Sequence, residues 1–314
     1  MKKYKSFIMP LAIIIGVLFH TWIAPFKALV PWLIFIILLL AYSSLHFTHL
    51  KLTKLNIALL VAHLLLATIC YVICLYCFGQ IVANGVLVGV ICPVAASSST
   101  IVVMLGGNKE ISITHTLIDN VMIAFAAPLF FSIAGTNAYI SFGTSVGTIL
   151  AKISPIIILP LIIVIFLKRF APKTNDKLKQ YDDYSLVIWG AALMINFAQT
   201  TQYIIRYGKG NEHIIYLLSI ISLILCALQF SLGKLLGKKS GQSVSAGQGL
   251  GQKNTGLGIW LAYTYFSPLT SIYPAAYSLW QNLFNSWQIY SHDKKTKQLQ
   301  AVSQNNKTKK EFFL

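Results

Sequence analysis

Apart from histidines, three ionisable residues fall well inside long apolar runs of this chain: Asp119, Lys152 and Lys253. A charge at mid-bilayer costs about 2.5–3.5 kcal/mol on insertion scales, so each is a candidate for function unless it can reach an interface. Lys152 lies near the outer end of its run and can snorkel to the headgroups, which gives it a structural part. Lys253 has no such exit. It sits in Ser243–Asn254, SVSAGQGLGQKN, a Gly- and Gln-rich polar interruption of an apolar segment. Irregular polar backbone at membrane depth is tolerated only where protein or a water-filled cavity surrounds it. Asp119 follows His115 by one helical turn, and Ser112, Thr116 and Asp119 share one face. Two readings of His115 and Asp119 stay open: a hydrogen-bonded pair that ties helices together, or a proton-coupling pair, since a buried histidine can titrate near neutral pH. His63 is a lone histidine on an apolar run and reads as a satisfied core residue unless it faces a break. His20, His46 and His49 lie near helix ends, where interfacial placement suffices.

A second interruption, Cys92-Pro93 followed by Ala95-Ala96-Ser97-Ser98-Ser99-Thr100, lies in the first half. One broken span per half predicts a transporter built from two repeats. Enzyme chemistry is not supported: H-E-x-x-H and paired intramembrane aspartates are missing, and a lone buried Asp leaves acid/base catalysis few partners. Cys70, Cys74, Cys77, Cys92 and Cys226 fall in predicted spans and read as small packed residues rather than disulfides, although Cys70, Cys74 and Cys77 have helical spacing.

Those residues need a membrane scaffold, and the composition provides one. The 314 residues are 56% hydrophobic and 11% charged, with a mean hydropathy of +0.69, which excludes an ordinary soluble domain. Ten apolar runs are long enough to span a bilayer, at 7–24, 28–47, 55–78, 81–106, 113–134, 145–168, 184–205, 214–236, 243–266 and 271–290. With the N-terminus inside, the inner segments hold 20 Lys and Arg and the outer loops only Lys27, Arg206 and Lys209. The positive-inside rule therefore explains the net charge of +17 without nucleic acid. Lys2-Lys3-Tyr4-Lys5 before an apolar run reads as a retained first helix rather than a signal peptide, because no small-x-small cleavage site follows.

Five spans precede the loop 135–144 and five follow it. Five is odd, so the halves (1–134 and 145–290) are expected to have inverted topology with the fourth span of each broken. The expected fold is all-α, with the fourth and ninth helices crossing at mid-membrane. Residues 291–314, polar and basic, are expected to form a disordered inner tail held loosely on anionic lipid.

At the two breaks the sequence resembles the bile acid:sodium symporter family. The first resemblance runs through Cys92-Pro93, Ser98-Ser99, Gly107-Asn108, Ile111-Ser112 and Thr116. The second runs through Gly251, Asn254-Thr255-Gly256-Leu257, Phe266-Ser267-Pro268-Leu269, Pro274-Ala275-Ala276 and Ser278-Leu279-Trp280-Gln281-Asn282. The resemblance implies a panel and a core domain, organic-anion transport, and two sodium sites behind the crossover. By position the first sodium site draws on Ser98, Ser99, Ser112 and Thr116. The second draws on Gly249, Gln252 and Lys253, before Asn254 and Thr255 open the next half-helix, with His63 near the place of a third-helix glutamine.

This chain departs from that pattern in three places. Gly249 stands where the family has an acidic sodium ligand, Lys253 where it has the neighbouring glutamine, and Ser99 where it has asparagine. The first change removes one negative charge and the second adds one positive charge, shifting the local sum by +2, the charge that two sodium ions would bring. The expectation is a secondary transporter of a small or amphipathic organic anion, sodium-independent, with the Lys253 ammonium held by Asp119 or by helix C-terminal carbonyls. No cofactor is expected, and sodium and the proton are the possible coupling ions. Alternatives are a sodium-coupled bile-acid-type symporter, an arsenite-like exporter using Cys92, and a transport-inactive sensor or scaffold. The expected location is a bacterial inner membrane with both termini inside.

Overall fold

The computed structural model describes residues 5–44, 51–95, 97–134 and 141–312. His46, His49, Ala96, the basic N-terminal Lys2 and Lys3, and residues 135–140 of the loop read as the repeat boundary lie outside them, as does the side chain of Lys152. The described residues are helical throughout, with one isolated antiparallel bridge as the only β-structure among them.

The helices are α1 (Lys5–Leu18), α2 (His20–Ile23), α3 (Val30–Ser43), α4 (Lys54–Phe78), α5 (Gln80–Ile91), α6 (Ser98–Met104) and α7 (Lys109–Ile133). They continue as α8 (Phe142–Phe170), α9 (Pro172–Gln180), α10 (Ser185–Tyr207), α11 (Glu212–Lys238), α12 (Ser243–Gly251), α13 (Thr255–Tyr265) and α14 (Ile272–Phe312). Four helical stretches among the described residues are long and apolar enough to cross a bilayer: His20–Ser43, Lys54–Phe78, Lys109–Ile133 and Glu212–Lys238. Their outward faces carry bare large apolar side chains such as Trp22, Tyr76 and Ile133, as expected where lipid replaces water.

Local sequence sets the ends that matter. Thr53 and Asn56 form a reciprocal capping box at the start of α4, and Gly79, at φ +84°, ends that helix. Asn108 caps α7 by accepting from the Ile111 N–H. Pro93 has no N–H and disfavours helix at Cys92, so α5 stops there.

The second break is shorter than its sequence suggests. Ser243–Gly251 is helical rather than irregular, and only Gln252–Asn254 is non-helical. Its glycines and alanine allow close contact with α11: a Cβ on Gly233 would strike the Ala246 carbonyl, and one on Gly251 would strike the Phe230 ring. Helix α14 itself runs to Phe312, through a stretch free of Pro and Gly and rich in Lys and Gln.

Most of the packing falls into two groups, beside a small third cluster of Leu59, Ala246 and Leu250 where α12 meets α4. The larger core joins α4, α5, α7, α11, α13 and α14 around residues such as Val86, Ala124, Leu218 and Tyr277. The second joins α1, α3, α6, α10 and α14 around Ile13, Ile37, Ile101, Trp189 and Phe197. In the larger core a Cβ on Gly89 would overlap the buried ring of Tyr273. Gly89→Ala is expected to destabilise the protein by about 1–3 kcal/mol through overpacking, whereas Gly147→Ala, inside α8 with open space at its Cβ, should stabilise it by up to about 1 kcal/mol through helix propensity. Thermal unfolding in detergent checks both, and equal effects would contradict the packing described.

Candidate functional site

The two breaks meet. Val94 and Lys253 form the antiparallel bridge, with the Ala95 N–H donating to the Gln252 carbonyl (2.9 Å) and the Asn254 N–H donating to the Pro93 carbonyl (2.8 Å). A single bridge leaves each central residue an outer N–H and C=O that burial would penalise. Side chains take both. The Val94 N–H donates to Asp119 Oδ2 at 2.7 Å, and Asn120 Nδ2 donates to the Val94 carbonyl at 3.1 Å. On the other edge the Lys253 N–H donates to Gln281 Oε1 at 2.8 Å, and Gln281 Nε2 donates to the Lys253 carbonyl at 3.1 Å. The capping residues stand in equal sequence frames, Thr116-x-x-Asp119-Asn120 on α7 and Ser278-x-x-Gln281-Asn282 on α14. Both asparagines also donate to the carbonyl four residues back, Asn120 to Thr116 at 2.7 Å and Asn282 to Ser278 at 2.6 Å.

The Lys253 side chain is 1% exposed, and His63 and Asp119 are fully buried. Lys253 Nζ lies 2.7 Å from His63 Nε2, and His63 Nδ1 lies 2.8 Å from Asp119 Oδ1. The Val90 carbonyl, near the C-terminal end of α5, is 2.8 Å from the same Nε2. An ionised carboxylate only accepts, so His63 carries a proton on Nδ1. Nε2 then either accepts from the Lys253 ammonium or, if protonated, donates to the Val90 carbonyl beside a neutral amine. Both states put one positive charge on the Lys253–His63 pair against one negative charge on Asp119. Neutrality of the triad is what makes its burial tolerable, because an unpaired ion in such a site costs several kcal/mol.

His63 thus does face the break, and the lysine reaches Asp119 only through it. His115 does not pair with Asp119 as one reading expected. Its Nε2 is 3.2 Å from the Gly249 carbonyl, while Nδ1 is buried without a partner. A Cβ on Gly249 would sit 2.8 Å from His115 Cδ2, so the ring occupies the space an acidic side chain at 249 would need.

Ser98 and Ser112 are brought together, Oγ to Oγ at 3.3 Å, and Thr116 Oγ1 donates to the Ser112 carbonyl at 2.9 Å. Ser99 is buried beside them on α6. Asn254 caps α13, accepting from the Leu257 N–H at 3.2 Å, and Thr255 is its first residue. Gln252 Nε2 donates to Ser97 Oγ at 3.2 Å and its Oε1 accepts from Asn285 Nδ2 at 2.6 Å. Asn285 in turn accepts from Gln248 Nε2 at 2.8 Å.

Sequence reasoning missed Asn120, Gln248, Asn285 and the capping role of Gln281. The available signal was spacing: Gln281 and Asn285 are one turn apart, and Asn120 adjoins Asp119.

On the front of the crossing a small cavity of about 40 Å³ opens between the breaks and the second packing group. Ala95, Ser97, Asn254 and Thr255 line one wall, and Trp189 and Asn196 of α10 the other. It has room for water-sized occupants in this conformation. Among the described residues, no group of three His, Cys, Asp or Glu is placed to hold a metal ion, and Cys77 is exposed while Cys70 and Cys74 are buried.

A match to the SBF-like CPA transporter family spans residues 27–283, which include both breaks and all their capping side chains. The chain belongs to this family. It is bile acid:sodium symporter-like, a membrane transporter and not an enzyme. A protein described as the uncharacterized sodium-dependent transporter YocS of Bacillus subtilis (strain 168) is 25% identical over 230 residues, covering 72% of this chain and 68% of that protein. In an SBF-like CPA transporter chain of this kind, the crossing and the small cavity beside it are the natural candidate site.

The triad predicts unequal effects of removing its members. Asp119→Asn leaves a buried positive charge uncompensated and should cost about 3–5 kcal/mol. Lys253→Met should cost less, because His63 can take up the compensating proton from solvent. The double variant should fall short of the sum by at least about 1 kcal/mol, read from unfolding in detergent. Strict additivity would mean that the two groups do not share a charge balance.

Proposed function

We propose that this chain is a secondary transporter of a small organic anion that works by alternating access without bound sodium, the Lys253 ammonium standing in for the coupling cation. The observation that carries this reading is the fully buried Lys253–His63–Asp119 chain, 2.7 and 2.8 Å per link, behind the backbone crossing. An ammonium there supplies the positive charge and hydrogen-bond donors that a bound cation would otherwise supply as charge alone. The missing acidic group at Gly249 supports the same reading, and the His115 ring stands against its return.

The proposed architecture is ten crossings in two inverted five-helix repeats, 1–134 and 145–290, in an inner membrane with both termini inside. The matching frames around Asp119-Asn120 and Gln281-Asn282 support that pseudo-symmetry. The substrate would enter the front cavity, where α13 begins at Thr255 and its N-terminal dipole favours an anion. A substrate of any size needs the two packing groups to separate, since the closed cavity holds only water-sized occupants.

A second reading is sodium-coupled transport, favoured by the description of the Bacillus subtilis relative as a sodium-dependent transporter. The two separate in the variant Lys253→Gln with Gly249→Glu and His115→Ser, which removes the built-in cation, restores the acidic side chain and clears its space. That protein should gain a rise in melting temperature specific to NaCl over KCl at matched ionic strength. A folded variant that remains indifferent to sodium would contradict the substitution of lysine for ion.

A further inference from the structure

A second cavity, of about 240 Å³, lies far from the crossing, where α3 and α8 end and α9 crosses beside them. Ser43 of α3, Lys168 of α8, and Asn175, Asp176 and Lys179 of α9 line it. Two lysines and one aspartate give the lining a net charge of +1. Lys168 lies in the fields of Lys179 and Lys109 as well as of Asp176. Lys109 is engaged elsewhere, 2.8 Å from Asp182 Oδ2, which also accepts from Ser44 Oγ at 3.1 Å. The unexplained group is Asn175. The residue is 6% exposed, its Nδ2 donates to the Ser43 carbonyl at 3.2 Å, and its Oδ1 is buried without a partner. A buried acceptor of this kind calls for a donor from something that enters the cavity.

The lining thus asks for one negative charge together with a hydroxyl. A phosphodiester carries one negative charge, and lysine ammonium groups bind phosphate oxygens well. A glycerol ester adds hydroxyl donors, which Asn175 Oδ1 and the Asp176 carboxylate can accept. The surroundings favour a molecule anchored in the bilayer: on α8 the exposed Ile162, Phe166 and Phe170 form an apolar track on the way to the polar α9. Basic pockets at helix ends are suited to anionic headgroups.

We propose that this cavity binds the glycerophosphate headgroup of an anionic phospholipid, with the phosphate between Lys168 and Lys179 and a headgroup hydroxyl on Asn175. The site is independent of the transport mechanism argued above. On the proposed topology it faces the inner leaflet.

The test uses the full-length protein, purified and stripped of lipid in detergent, with melting temperature followed against added lipid. Phosphatidylglycerol should raise the melting temperature and phosphatidylcholine should not. Lys168→Gln with Lys179→Gln should weaken the phosphatidylglycerol response about tenfold or more, as expected for losing two charge-assisted contacts. Lys294→Gln with Lys295→Gln, on α14, should leave it unchanged. Asn175→Asp keeps both lysines but turns the buried acceptor into a carboxylate, and it too should abolish the response. Native mass spectrometry, counting retained phosphatidylglycerol, supplies a readout that does not depend on stability. An equal response in the Lys168/Lys179 variant, or an equal response to phosphatidylcholine, would overturn the proposal. A rise with sn-glycerol 3-phosphate and none with phosphatidylglycerol would overturn the lipid as the source of the phosphate.

Discussion

Two interrupted helices cannot cross in a buried interior unless every backbone group freed by the interruption finds a partner, and that constraint organises the rest of this protein. The bridge between Val94 and Lys253 pairs the inner edges, and side chains from α7 and α14 pair the outer ones. An unpaired amide or carbonyl there would cost several kcal/mol. Asp119, Asn120 and Gln281 are therefore structural before they are anything else. The same atoms then fix where chemistry can occur. Asp119 spends one carboxylate oxygen on the Val94 N–H and the other on His63, so the charge of the site is tied to the geometry of the crossing.

Electrostatics follows from that tie. Asp119 brings one negative charge into a dry interior, and the Lys253–His63 pair returns one positive charge. Because two bases share one proton, the positive charge can move between Nζ and Nε2 without leaving the triad. Proton movement out of the triad would leave it negative, which the surrounding apolar core disfavours. Coupling to protons would thus need a conformation in which water or substrate reaches Lys253, and the front cavity beside its backbone lies where such access would open.

Much of this was legible in the sequence, and the reasons for the exceptions are physical. Pro93 announces the first break because it lacks an N–H, and Lys253 announces the second because a lysine has no innocent place inside a long apolar run. The extent of the second break was overread. Glycines and glutamines from Ser243 to Gly251 suggest irregular chain in water, but here the small residues let α12 pack against α11 while remaining helical. Pairing was harder still. Spacing placed His115 and Asp119 on one helix face, yet Asp119 turns to His63 on another helix and His115 to the Gly249 carbonyl. Periodicity reports which residues share a face of one helix and is silent on what the facing helix presents. Lys168, Asn175 and Lys179 likewise come together only through the turn from α8 into α9.

Sodium-independent transport, as proposed, requires that the Lys253 ammonium already occupy the charge position of a coupling cation. Its most direct test is thermal unfolding of the unmodified, detergent-purified protein in NaCl, KCl and choline chloride at matched ionic strength, which needs no knowledge of the substrate. The three curves should superimpose if Lys253 takes the place of the cation. A rise specific to sodium would mean that the ion binds the native state despite Gly249 and Lys253, and would contradict it.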